Sequence, residues 1–259
     1  MTAESSADAA AQDRTRHADW LAGARIDPAV AALRPDYRCV LVVAEGLTPG
    51  PSDETSERLL AQAEQSARAQ LDGRPAEELP HLQSWREAFR AFGAKPQRTR
   101  SSAEALLRRV PDGLPRINRL ADAYNAVSIA TATPLGGEDV TAYVGPLQLV
   151  RADGTEDFPT LASGAEAVEH PEPGEAVWRD DAGVTCRRWN WRQCHRTRLT
   201  DETTDAVFIA DVLDVEPGDS DARASEVLAA LVDALRQVSP GVRLQSRVLR
   251  ADSAVAVAP

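Results

Sequence analysis

Lysine is almost missing from this chain: Lys95 is the single lysine among 29 basic residues, and the rest are arginines. Cysteine is scarce as well, because Cys39, Cys186 and Cys194 make an odd set with no CxxC pair. That excludes a secreted disulfide framework and fits a reducing compartment. No stretch approaches the ~20 consecutive apolar residues of a helical membrane span. The first residues, MTAESSADAAAQDRTR, lack an apolar signal core and carry Glu4, Asp8 and Asp13, so a soluble, cytoplasmic protein is expected. Excess positive charge is absent too. A formal net charge of -11 repels phosphate backbones at long range, so any contact with nucleic acid has to be local.

Several catalytic signatures are also lacking. There is no GxSxG elbow and no phosphate-loop pattern, and adjacency of Cys194 to His195 is not a nucleophile–base dyad. Cys186, Cys194 and His195 are spaced too irregularly for a structural zinc site, so neither metal nor cofactor is expected. His17, His81 and His170 read as tail, helix and loop residues.

What is present suffices for a substantial core: 259 residues, 43% of them hydrophobic. Residues 1–15 read as a flexible tail. Short helical pieces follow to about residue 34, interrupted by Pro28, and CVLVVAEGL at 39–47 is a run of strand length. Asp53 or Ser56 opens a helix through about Leu71, and a second starts near Leu79, with Leu82, Trp85, Phe89 and Phe92 at helical spacing and Gly93 as its stop. Ser101 to Glu104 has the form of a capping box. A further helix is expected over 116–131, with Ile117, Leu120, Tyr124, Val127 and Ile129 buried. From residue 139 the chain reads as short strands and turns, before an amphipathic helix opened by Ser220 or Asp221 and a last strand, VRLQSRVL. One α+β domain over 16–250, followed by a flexible, largely apolar tail over 251–259, is the simplest organisation.

Two segments invite chemistry. RRWNWRQCHRTR, residues 187–198, holds five arginines, a histidine and two tryptophans without an acid. Read as a strand, it sends Trp189 and Trp191 to one face and Arg188, Asn190, Arg192, Cys194, Arg196 and Arg198 to the other. The plain interpretation is indoles in the core and guanidinium groups in water. The functional one is a row of arginines that grips phosphate or carboxylate. PLGGEDV, residues 134–140, places a glycine pair at an expected turn before Glu138 and Asp139. Such a turn is either ordinary punctuation with solvated acids or a place where a ligand approaches backbone amides.

Three stretches then point to one family: SWREAFRAFGAKPQRTRSSAEALLRRV, LPRINRLADAYNAVSIATATPLGGEDV, and PEPGEAVWRDDAGVTCRRWNWRQCHRTRLTDETTDAVFIAD. Over roughly residues 80–213 the chain resembles free-standing relatives of the editing domain of the phenylalanyl-tRNA synthetase beta subunit, the B-three/B-four domain. The resemblance implies mixed sheets packed as a sandwich with helices on one side, and hydrolysis of wrongly charged aminoacyl-tRNA. Asp122 and Asn125 match the family's Asp-x-x-Asn helix, and Pro134, Leu135 and Asp139 match its Pro-Leu-His-x-x-Asp turn, with Gly136 where the family has histidine. DETTDAVFIAD is similar to a threonine-rich turn leading to a discriminating glutamate, for which the candidates are Thr203 or Thr204, then Ile209 or Asp211.

The resemblance, together with the glycine turn and its acids, points to a catalytic group of Asn125, Gly136, Gly137, Glu138 and Asp211, with substrate contacts expected from Asp139, Thr203, Thr204 and Ile209. On this reading Arg188, Arg192, Arg196 and Arg198 would meet a tRNA acceptor stem. The expected partner is aminoacyl-tRNA, at its 3′ end and acceptor stem, with neither membrane nor DNA involved. A non-catalytic module binding an RNA end or small molecule is the alternative, motivated by the missing histidine. A protein-interaction domain is the third reading, drawing on the acidic composition and the apolar C-terminal residues.

Overall fold

The computed structural model describes residues 16–162 and 164–255, so the tail expected at 1–15 lies outside the described residues. Two short helices, α1 (Ala18–Gly23) and α2 (Pro28–Ala31), flank a two-residue strand β1 (Arg25–Ile26). β2 (Arg38–Glu45) follows, then α3 (Glu54–Leu71), α4 (Pro80–Ala91), α5 (Ser102–Leu107) and α6 (Arg119–Thr131). The strand-rich part runs β3 (Leu135–Asp139), β4 (Gln148–Arg151), β5 (Phe158–Ala162), β6 (Ala165–Glu169), β7 (Ala176–Asp180), β8 (Gly183–Arg187), β9 (Arg192–Gln193) and β10 (Asp205–Val212). It closes with α7 (Ser220–Val238), β11 (Arg243–Arg250) and α8 (Ala251–Val255).

The two larger sheets form the expected sandwich. One has the order β11-β2-β10-β3 and is antiparallel; the other, β1-β4-β7-β8-β9, is mixed, because β1 and β4 run parallel, and β5 and β6 form a separate antiparallel pair. β2 and β10 are central in the first sheet and buried at every position. Both faces are covered, which is why their sequences read as continuous apolar runs rather than alternating ones. Leu41, Val43 and Ile209 on one face meet Leu149, Trp178 and Cys186 of the second sheet. Val40, Val42 and Phe208 on the other face pack on Val127 of α6 and on Leu231 and Leu235 of α7. α4 inserts Trp85 and Phe89 into the core between the sheets.

Local signals explain the helix boundaries. Asp53 and Ser56 cap α3 reciprocally, at 2.9 and 3.0 Å, and the Ser101 hydroxyl accepts from the Glu104 amide before α5. α6 starts later than the expected 116, because Asn118 takes the N-cap position and accepts from the Ala121 amide at 2.8 Å. Ile117 therefore falls outside the helix and is 59% exposed rather than buried. The tail expected from 251 also needs correction. Residues 251–255 form α8, whose Asp252 accepts from Arg38 at 3.0 Å.

The arginine strip differs most from expectation. β8 stops at Arg187, and Arg188 and Trp189 adopt positive φ, 48° and 67°, so the segment is a tight connection and not one strand. Its driving force is Trp189, whose fully buried indole stacks edge-on to Tyr37 at 4.9 Å and Trp85 at 5.3 Å. A straight strand cannot deliver that indole and continue along the sheet. With alternation lost, the arginines do not form one row, Asn190 and Cys194 are buried, and Trp191 is only half-buried. Trp189→Ala is expected to cost about 3–5 kcal/mol of stability, read as a lower urea midpoint with an unchanged denaturant slope.

Candidate functional site

A cavity of about 300 Å³ opens between the sheets, roofed by α5 and the 188–193 connection. Four elements meet there. α6 brings Tyr124 and Asn125, β3 brings Gly136 and Glu138, β10 brings Ile209 and Asp211, and the connection brings Trp189 to Gln193. Antiparallel pairing of Gly136 with Ile209 and of Glu138 with Val207 places the β3 and β10 residues on one sheet face.

Both acids are buried. Burial pushes the Glu138 carboxyl up to about 7, against the lowering effect of the Thr197 and Tyr143 hydroxyls. Burial likewise lifts Asp211 to about 7, opposed by the Tyr37 hydroxyl and, more weakly, by the nearby Asn190 amide. Each acid is held by one oxygen. Glu138 Oε2 accepts from Tyr143 at 2.7 Å and Thr197 at 2.5 Å, and Asp211 Oδ1 accepts from Tyr37 at 2.5 Å. Glu138 Oε1 and Asp211 Oδ2 are left as the oxygens available to a ligand or to water.

The glycine pair lies in a strand and not in the expected turn. A side chain at Gly136 would put its Cβ 2.5 Å from Gln193 Nε2, and one at Gly137 would come within 2.9 Å of the Phe208 ring. The Gln193 amide, bonded to the Gly137 carbonyl at 3.2 Å, fills the space directly over position 136.

The remaining expected residues scatter. Asp139 caps the following turn and accepts from Thr203 at 3.1 Å, and Thr204 is exposed with its carbonyl bonded to the Leu47 amide. Gly137, Asp139, Thr203 and Thr204 lie outside the cavity lining, whereas Asn125, Gly136, Glu138, Ile209 and Asp211 are within it. Of the four arginines only Arg192 reaches it. Arg188 bonds Thr99 at 3.1 Å, Arg196 is committed to Asp180 at 2.7 Å and to the Ala142 carbonyl, and Arg198 is exposed, its backbone bridged to Glu138. The guanidiniums of Arg188 and Arg192 lie over the Trp191 ring at 4.6 and 4.8 Å, and Arg192 also pairs with Glu169 of β6.

Sequence reasoning missed Tyr37, Tyr143 and Thr197, which hold the two acids, and it grouped Asn190 with the arginines on one strand face. It also missed Asp122 as a brace: Asp122 takes the Ser52 hydroxyl at 2.5 Å and the Ile117 amide at 2.9 Å, fixing Ile117 at the cavity mouth. The Asp-x-x-Asn spacing carried that signal, since positions three apart share a helix face. Among the described residues, no group of three His, Cys, Asp or Glu side chains is placed to hold a metal ion.

The raised carboxyls have a stability consequence. Between the ordinary carboxylate range and pH 7, folded Glu138 and Asp211 keep protons that the unfolded chain releases, so their contribution falls as pH rises through that window. Glu138→Gln and Asp211→Asn should therefore gain stability relative to the parent between pH 5 and pH 8, each by roughly 2–3 kcal/mol. Urea denaturation at the two pH values measures the difference.

No curated protein matches the chain. Among solved structures, an N-terminal fragment of the phenylalanyl-tRNA synthetase beta subunit from Pyrococcus horikoshii is similar at 14% identity and a TM-score of 0.43. The match covers 85% of this chain and 49% of that one, so the chain spans about half the length of the solved fragment. The family model for the B3/4 domain matches residues 84–225, more than half of the sequence and inclusive of every cavity-lining residue named above. The chain belongs to the B3/4 domain family.

Proposed function

We propose that the protein is a trans-acting hydrolase that removes a wrongly attached amino acid from the 3′ end of a tRNA. The observation that carries this reading is the convergence of Asn125, Gly136, Glu138, Ile209 and Asp211, from three separate segments, on one cavity with Arg192 at its rim. An aminoacyl ester is already activated, so orienting water and stabilising the developing oxyanion account for much of the needed catalysis.

In this reaction Glu138 Oε1 accepts a proton from water as the water oxygen attacks the ester carbonyl carbon. The Asn125 side-chain amide donates to the carbonyl oxygen as it becomes negative; when the ester C–O bond breaks, the ribose oxygen leaves with the proton that Glu138 had taken from water, and the Glu138 carboxylate is regenerated. A carboxyl near 7 suits this role, being both basic enough and substantially ionised at neutral pH. Asp211 Oδ2 accepts from a donor group of the amino acid. At the mouth, Trp191 and Arg192 supply a stacking surface and a positive charge for the terminal nucleotide, a local attraction compatible with the net charge of -11. The glycine pair allows the close packing of β3 under Gln193 that shapes the floor.

A panel of tRNAs charged with each of the twenty amino acids tests the reading; a chain that accelerates hydrolysis of none of them is not a deacylase. Glu138→Gln should lower the single-turnover rate by about 10²-fold or more, and the parent rate should rise with pH to a plateau above 7. Arg192→Glu should act mainly on KM and flatten its dependence on salt, measured from 50 to 200 mM.

A further inference from the structure

Asn190 is the least explained polar residue in the molecule. It is 7% exposed and lines the cavity, yet neither its amide nitrogen nor its amide oxygen has a hydrogen-bond partner of normal geometry among the described residues. Most polar groups this buried in folded proteins are satisfied; other buried side chains here leave one polar atom unpaired, whereas Asn190 leaves both. An apolar residue of the same shape would be the better choice if position 190 served packing alone.

The backbone is organised to hold Asn190 there. The Arg188–Trp189 pair, both at positive φ without being glycine, is the energetically unusual conformation that turns residue 190 inward. Two bonds fix it: the Asn190 carbonyl accepts from the Ser102 amide at 3.0 Å at the start of α5, and its amide donates to the Arg188 carbonyl at 2.8 Å. The side chain lies beside Asp211, close enough to influence its ionisation. Trp178, also on the cavity wall, carries a buried indole N–H without a partner.

This collection selects a chemistry. Asn190 offers two N–H donors and a carbonyl acceptor, Asp211 offers Oδ2, and Trp178 offers a donor. A cationic group would leave the Asn190 and Trp178 donors unmet, and an anionic one would be opposed by Asp211 once that carboxyl is ionised, above about pH 7. A hydrocarbon end would leave all of them unpaired. A neutral planar amide pairs head-to-tail with Asn190 and still has an N–H for Asp211, while Ile209, Leu135 and Leu106 on the walls suit a methylene stem.

We infer that Asn190 is a specificity-determining residue, and that the cavity takes an amino-acid side chain ending in a neutral carboxamide, held by Asn190 together with Asp211. The inference deepens the deacylase reading and rests on it for the identity of the ligand as an esterified amino acid.

The test is calorimetric titration of the full chain with stable 3′-(aminoacylamino)-3′-deoxyadenosines carrying glutamine, methionine, glutamate, arginine or tyrosine. The glutaminyl compound should bind at least about tenfold more tightly than its near-isostere, the methionyl one, because a site built around hydrogen bonds rejects an analogue lacking them. Asn190→Leu should erase that preference while leaving the thermal midpoint unchanged or higher, which a purely structural asparagine would not produce. Equal binding of glutaminyl and methionyl compounds, tighter binding of the glutamyl, arginyl or tyrosyl compound, or a preference that survives Asn190→Leu overturns the inference. The wild-type series stands even if the variant fails to fold. Equal binding with active ester hydrolysis leaves the deacylase reading intact, whereas a clear glutaminyl preference without hydrolysis of any ester refutes deacylation and keeps the specificity. Absence of binding by every compound removes both.

Discussion

Burial of one indole organises the functional half of this molecule. Trp189 sits at zero exposure among Tyr37, Trp85 and Phe92, and the chain reaches that position only by leaving β8 through two left-handed residues. The departure breaks strand alternation, so the residues after the indole point in new directions: Asn190 into the cavity, Trp191 and Arg192 to its rim, Gln193 over β3. Hydrophobic burial of an aromatic side chain contributes enough to hold a connection with unfavourable dihedrals. The same burial that stabilises the sandwich therefore sets the geometry of the site.

The electrostatics follow a similar division. Most arginines are spent internally: Arg187 on Glu175, Arg196 on Asp180, Arg38 on Asp221 and Asp252. These pairs brace loops and sheet ends rather than forming a positive surface. Glu138 and Asp211 are treated differently, being buried against neutral hydroxyls in place of guanidiniums. Without a directly bonded cation to hold the charged form, burial prevails and their protons stay on to near neutral pH.

Much of the architecture was legible in the sequence. The apolar runs of β2 and β10, the caps of α3 and α5, and the apolar stripe of α7 all carried their periodicities plainly; Asn125, Ile209 and Asp211, read from family motifs, and Glu138, read from its place after the glycine pair, line one cavity. What was hidden depended on long-range packing. Nothing local marks Arg188 and Trp189 as left-handed, because the cause is a core assembled by residues about a hundred positions earlier. The strip's arginines are sorted by partners that lie elsewhere in the sequence: Glu169 of β6, Glu175 just before β7 and Asp180 at the end of β7. Tyr37, the support of Asp211, lies 174 positions away from it.

The contact between Gly136 and Gln193 makes these two positions a single shared volume. The side-chain space of one is occupied by the amide of the other, which in turn is tied to the Gly137 carbonyl. Any larger residue at 136 has to evict that amide, and any shorter residue at 193 opens room on the cavity floor that glycine cannot fill. The floor can thus be reshaped by exchanging bulk between the two strands as a coordinated pair, whereas a change at either position alone produces a clash or a hole.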